Sequence, residues 1–283
     1  MDRLINYLFW IVVIFLFVIE GRLSDHLMIL TGLGLSLTVA YLAFFLNWIT
    51  LDATKAVVIV GTITFGFGGI WAAVALVFFF ISSSIVTRKN REDGVEAGRV
   101  PMRSQDPFHN SRRNGYQVWA NGFWVAFFAI LWFQFDQVYF LIAIYGAIAT
   151  ATADTWATEL GSRKKEKTHL ITNFKKVEPG TDGGVSLKGT IASIFGSSAL
   201  ASLLVLQPEP YNLSFVVVVA TSGFLGSVAD SYLGAYFQSR NAPLKPLNIN
   251  GDRKDIWTNC YVNWLATGIG GLLTLLTIKI LTL

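Results

Sequence analysis

Apolar residues in this chain come in long blocks separated by short polar stretches. The blocks cover residues 4–19, 27–46, 56–86, 116–132, 138–156, 187–206, 214–237 and 259–281. A run of about 20 apolar residues is what a helix needs to cross a hydrocarbon core of about 30 Å. None of the blocks alternates with the period of two that a barrel strand requires, and a helix satisfies its own backbone in lipid. The fold class expected is all-α: a polytopic helical membrane protein with about seven to nine transmembrane helices, reading as one integral-membrane domain over residues 1–283. The range comes from block 56–86, which is too long for one simple crossing. It is interrupted by Gly66-Phe67-Gly68-Gly69, a pattern that fits a broken helix, a re-entrant segment or two short helices.

Composition supports lipid as the solvent. Hydrophobic residues make up 53% of the chain and charged residues 14%, against about 25% charged in soluble domains. Block 4–19 follows Asp2 and Arg3 and has no small-residue cleavage site after it, so it reads as a first membrane segment and not a removed signal. No Arg- and Ser-rich leader suggests an organelle transit peptide. The one cysteine, Cys260, rules out an internal disulfide or a multi-cysteine metal site. His26, His109 and His169 are scattered, without HExxH spacing.

The net charge of +4 is modest, but its placement is informative. Residues 87–115 hold Arg88, Lys89, Arg91, Arg99, Arg103, Arg112 and Arg113; residues 162–188 hold Arg163, Lys164, Lys165, Lys167, Lys175, Lys176 and Lys188; residues 238–258 hold Arg240, Lys245, Arg253 and Lys254. Those three loops contain 18 (7 + 7 + 4) of the 22 basic residues, while loops 133–137 and 207–213 contain none. The positive-inside rule makes 87–115, 162–188 and 238–258 cytoplasmic loops, in the plasma membrane of a bacterium or archaeon. These charges set topology, and a basic face also attracts phosphates. No feature points to nucleic acid as a partner.

Two acidic residues interrupt the blocks. Asp154 lies in Ala153-Asp154-Thr155-Trp156 and Asp230 in Ala229-Asp230-Ser231-Tyr232. A carboxylate within a membrane helix is costly and marks a functional site by default. Small residues precede both (Ala147 to Ala153; Gly223, Gly226, Ser227) and let helices approach closely. Each Asp stands roughly 25 Å along its helix from the charge-poor loop, near the basic boundary. On helices of the opposite direction, Gln117 and Asn121 open one block and Asn259 and Asn263 open the last. Each pair is spaced i,i+4 and so shares a helix face. Two carboxylates and several amides at one depth suit Mg²⁺, which uses one or two carboxylates together with substrate phosphates. The alternative is that these amides make interhelical hydrogen bonds.

The third feature is segment 168–190, with Leu170-Ile171-Thr172 and then Pro179-Gly180-Thr181-Asp182-Gly183-Gly184-Val185-Ser186-Leu187-Lys188. Glycine-rich backbone running into a helix N-terminus can cradle an anion, although no GxxxxGK[ST] P-loop is present. An ordinary flexible loop has the same composition. Glu159, five residues after Asp154, either joins this site or ends its helix in solvent.

The run Ala-Thr-Ala-Asp-Thr-Trp-Ala-Thr-Glu-Leu-Gly over residues 151–161, with the Leu-Ile-Thr and Pro-Gly-Thr-Asp-Gly-Gly-Val-Ser segments after it, resembles an integral-membrane family that includes transmembrane protein 19 and phytyl-phosphate kinase. Residues 88–94, 117–122, 223–238 and 258–263 fit the same pattern, so the resemblance spans most of 56–270. It implies transfer of a phosphoryl group from a nucleoside triphosphate, CTP in the plant case, to an isoprenyl monophosphate in the membrane. A more distant likeness to polyprenol kinases rests on the short Asp-containing motif. On this resemblance Asp154 and Asp230 hold Mg²⁺ beside Glu159, and Gly180, Thr181, Asp182, Gly183, Gly184 and Ser186 with Lys188 cradle the donor phosphates. Gln117, Asn121, Asn259 and Asn263 orient phosphate or metal-bound water, and Arg112 and Arg113 grip the acceptor phosphate. An anionic phosphate acceptor needs no general base, and positioning with charge neutralisation is most of the catalysis. Intramembrane carboxylates and glycine-broken helices also fit a secondary transporter, whose site would lie nearer mid-membrane; a non-catalytic scaffold would bind neither nucleotide nor Mg²⁺.

Overall fold

The computed structural model describes residues 2–96, 112–162, 166–207, 213–237 and 253–282. Arg99, Arg103, His109, Arg163, Lys164, Lys165, Arg240 and Lys245 lie outside the described residues. The chain is helical almost throughout: α1 (Asp2–Phe15, extended by a π-helical turn Leu16–Glu20), α2 (Leu23–Phe45), α3 (Leu51–Glu96), α4 (Gly115–Phe135), α5 (Val138–Gly161), α6 (Leu187–Ser202, then a 3₁₀ turn Leu203–Leu206), α7 (Leu213–Phe237) and α8 (Arg253–Leu281). Among the described residues eight helices are long and apolar enough to cross a membrane. α3 and α8 both run past the apolar blocks that predict them, because a helix continues into polar sequence once it leaves lipid. The exception to helix is a small antiparallel sheet in segment 168–186. It comprises β1 (Thr168–Leu170), β2 (Lys176–Val177) and β3 (Gly184–Ser186), in the order β2-β1-β3.

The chain forms two compact units, Met1–Ile144 and Tyr145–Leu283, with the boundary inside α5. In the first, α3 is broken at Gly69, whose φ of 83° and ψ of 175° belong to a region open essentially to glycine alone. The chain doubles back there. Phe80, eleven residues beyond the break, meets Trp48 at a ring distance of 5.8 Å and packs on the cluster of Ala43, Ile49 and Ala53 where α3 begins. The block 56–86 is therefore a helical hairpin with both ends on one side. Counting its arms separately gives nine apolar arms (8 + 1) among the described residues. At the ends of the hairpin, Ile49 bridges to Arg113, and α4 starts from the same place. Asn114 caps α4 by accepting from the Gln117 N–H, while Gln117 Oε1 accepts from the Asn114 N–H, each at 3.0 Å. Asp52 Oδ2 accepts from the Gly115 N–H at 2.8 Å. α1 closes this unit with a buried hydrogen bond from Trp119 Nε1 to Asn6 Oδ1 of 2.7 Å.

In the second unit, α5 packs through small residues. A Cβ at Gly223 would run into Ala149, and one at Gly226 or Gly270 would overlap the Thr150 side chain. A Cβ at Gly146 would overlap Thr274. Backbones this close gain dispersion contacts that bulky side chains would prevent. Every residue from 141 to 153 is buried, so the helix that carries Asp154 lies enclosed.

Candidate functional site

The small-residue contacts dictate what meets at the next turn. α5 and α7 run the same way, since Ala149 faces Gly223 and Thr150 faces Gly226. Four residues further along each helix, one turn, stand Asp154 and Asp230, and their carboxyl groups lie within hydrogen-bonding reach of each other. α8 runs the opposite way, with Gly270 against Thr150. Stepping back two turns along it reaches Asn263. With its amide turned to suit its neighbours, Asn263 donates to Asp230 Oδ1 at 3.3 Å and to the Asn259 carbonyl oxygen at 3.1 Å. Asp154 and Asp230 are partly buried. Glu159 and Asp182 come within electrostatic reach of Asp154 and Asp230 respectively. Among the described residues no three His, Cys, Asp or Glu side chains converge as a complete metal cage. Two touching carboxylates repel, and a divalent cation between them removes that repulsion. The donor set fits Mg²⁺ in its usual mode, with remaining positions left to water and phosphate oxygens.

The glycine-rich segment is tied to the same place. Gly180 and Gly183 have φ of 86° and 74°, and a Cβ at Gly183 would run into Ala235 of α7, five residues past Asp230. Part of the loop's hydrogen bonding is internal: the Thr181 N–H donates to the Glu178 oxygen at 3.2 Å and the Gly184 N–H to the Thr181 oxygen at 2.8 Å. β3 then delivers Ser186, which caps α6 by accepting from the Gly189 N–H (3.1 Å) and donates to the Gly161 oxygen at the end of α5 (3.2 Å). Lys188 pairs with Glu166 at 3.1 Å. The structure thus brings Asp154, Asp230, Glu159, Asp182, Gly183, Asn259 and Asn263 to one end of the second unit, with Ser186 joining α5 to α6 beside them.

Gln117, Asn121, Arg112 and Arg113 belong to the first unit. There Gln117 serves as a helix cap and Asn121 Nδ2 donates to the Gln117 carbonyl oxygen at 3.3 Å. Arg113 lies over the rings of Phe79 (5.1 Å) and Phe80 (5.9 Å). Two groups in the second unit escape sequence reasoning. Trp156 Nε1, two residues from Asp154, and Ser193 Oγ on α6 are buried without a partner among the described residues. Only the nearness of Trp156 to Asp154 in sequence could have flagged either.

Fold and site define an integral membrane protein with a paired-carboxylate centre at one end of a close-packed helix bundle. The chain belongs to the integral membrane protein family DUF92, whose model matches residues 34–271. It is 33% identical over 219 residues to an uncharacterized membrane protein of Methanocaldococcus jannaschii, covering 77% of this chain and 81% of that one. Protein PGR of Arabidopsis thaliana is 28% identical over 243 residues, 76% of this chain and 81% of its own. Protein VTE6, chloroplastic, of the same plant is 33% identical over 108 residues, 38% of this chain and 31% of its own. No solved structure matches.

Proposed function

We propose that this protein transfers the terminal phosphoryl group of a nucleoside triphosphate, CTP among the candidates, to an isoprenyl monophosphate. An oxygen of the acceptor phosphate attacks the terminal phosphorus, the bond to the bridging oxygen of the nucleotide breaks, and isoprenyl diphosphate and nucleoside diphosphate leave. The observation that carries the reading is the meeting of Asp154 and Asp230 in a bundle otherwise built of small and apolar residues. Asp154 and Asp230 would hold Mg²⁺, which supplies neutralisation of phosphate charge when bound. Asn263 positions Asp230, and the segment 180–186 with Lys188 receives the donor phosphates beside α7. Arg112 and Arg113, expected from the sequence to grip the acceptor phosphate, stand in the first unit and take no part in this reading. The resemblance of residues 151–161 and 179–186 to the family that includes phytyl-phosphate kinase supports this reading. By the positive-inside rule the site faces the cytoplasm, where nucleotide is supplied, and the acceptor's tail stays in lipid.

The test is purified Asp154→Asn protein given radiolabelled nucleotide, Mg²⁺ and phytyl or geranylgeranyl monophosphate. Loss of labelled diphosphate, with wild type active, supports the assignment; undiminished product refutes it.

A further inference from the structure

The first unit encloses a cavity that the carboxylate pair does not use. It has a volume of about 380 Å³ and lies between α2, both arms of α3 and α4, wholly within residues 35–122. Along the second arm of α3 its wall runs from Ile70 to Phe80, roughly 15 Å at the rise of a helix, which is half of a hydrocarbon core of about 30 Å. Leu35, Ile70 and Val74 in the apolar wall stay exposed, so the cavity opens sideways toward lipid and a chain can enter it from the bilayer. Besides Arg113, the polar side chains of the lining are Ser36, Gln117 and Asn121. Gln117 lies in the first turn of α4 and Asn121 one turn on; Ser36 packs on Gly61, and Gly122 packs on Val60 beside it. Each of the three keeps an atom without a hydrogen-bond partner among the described residues. Gln117 Oε1 is used in capping α4, and Asn121 Nδ2 donates to the Gln117 carbonyl oxygen. That leaves Gln117 Nε2 as a donor, Asn121 Oδ1 as an acceptor and the Ser36 hydroxyl as either. Ser36 is only 7% exposed, and polar groups so deeply buried are normally paired. The Arg113 guanidinium lies over Phe79 and Phe80, and the site does not draw on it.

A hydroxyl group both donates and accepts, so one hydroxyl can serve an amide N–H and an amide oxygen together. A bare hydrocarbon would leave those atoms unpaired, and an anionic head would meet the Asn121 oxygen with repulsion. The volume lies at the low end of the range for ligand sites, roughly 300–1,000 Å³, which suits one chain better than two. We infer that this cavity binds one long-chain primary alcohol from the bilayer, with its hydroxyl at the Gln117 and Asn121 amides and its chain running along the arms of α3 toward Gly69. The site lies within one unit and is independent of the phosphoryl transfer proposed above.

The experiment places the full chain in nanodiscs, adds dodecan-1-ol carrying a photoreactive diazirine in its chain, and maps the labelled residues by mass spectrometry. Label should fall within residues 35–80 or 117–122. Unlabelled dodecan-1-ol, its isoprenoid counterpart farnesol, or both should displace the probe, and their order identifies the kind of chain the slot takes. Dodecane, dodecyl methyl ether and dodecanoate, which lack the hydroxyl donor or carry a charge, should each displace it roughly tenfold less well. Two-chain didodecylglycerol should also compete poorly. Asn121→Leu, which removes the acceptor, and Ala73→Phe, which fills the slot, should each lower labelling roughly tenfold. Should either variant fail to fold, the competition series on the unmodified protein decides. Displacement by dodecane or dodecanoate as strong as by the alcohols, full labelling of folded Ala73→Phe, or label found only beyond residue 144 would each overturn the inference.

Discussion

Replacing Asp154 by Asn should change stability in opposite directions with and without Mg²⁺. With both carboxylates ionised, in alkaline buffer, two unit charges about 4 Å apart repel by about 4 kcal/mol at an effective dielectric near 20. The Asn263 amide on Asp230 reduces this to about 1–3 kcal/mol. In EDTA at alkaline pH, Asp154→Asn removes one charge, keeps the shape and offers Asp230 an N–H donor. The variant should therefore melt above the wild type, on the order of 2–12 °C higher given about 2–4 °C per kcal/mol. In Mg²⁺ the order should narrow or reverse, because a cation at ten times its Kd stabilises the wild type by about 1.4 kcal/mol and the variant has lost half of the acidic ligand set. The assay is intrinsic-fluorescence melting of both proteins in detergent, titrated from EDTA to millimolar Mg²⁺, with Ca²⁺ as a comparison. A variant that melts below the wild type in EDTA, yet gains as much from Mg²⁺, would show that the pair neither strains the empty site nor holds a cation.

Three other outcomes follow from the packing. Gly226→Leu drives side-chain atoms into Thr150 and should cost about 1–3 kcal/mol; Thr150→Ala in the same chain should recover part of that melting temperature, as coupled contacts do. The hairpin in α3 puts residues 50 and 88 on one side. In a Cys260→Ser background, Thr50→Cys and Arg88→Cys should therefore react with an impermeant maleimide from the same face of oriented vesicles, and opposite faces would disprove the reversal. Lys188→Ala breaks an exposed pair with Glu166 worth about 0–1 kcal/mol, so melting should scarcely move. If the segment receives donor phosphates, KM for nucleotide should rise several-fold in that variant.

The helices were legible because lipid demands long apolar runs, and the pairing of Asp154 with Asp230 was legible because small residues stand one turn before each. What the sequence hid depends on contacts made far along the chain. The Gly66–Gly69 cluster marks a break in block 56–86, but nothing local says that Gly69 alone takes the positive φ or that Phe80 returns to Trp48. The strands at 168–186 are two or three residues long, too short to show alternation, and exist only through mutual pairing. Gln117, read as a ligand to phosphate or metal, caps α4. The Asn-x-x-Gln spacing from Asn114 carries that signal. The ends of α3 and α8 extend beyond the blocks because hydropathy reports where lipid stops, not where the helix does.

The reversal at Gly69 bears on how the chain is made. If both ends face the cytoplasm, as the positive-inside rule expects, such a hairpin can enter the bilayer as one object, tip first, and its tip (Phe67, Gly68, Gly69, Ile70) carries no charge. In that orientation neither arm has to drag a polar connection across the membrane, and the basic stretch that follows it stays clear of the translocation barrier. A lysine inserted at that tip would therefore be expected to hinder biogenesis more than the same lysine placed at either foot.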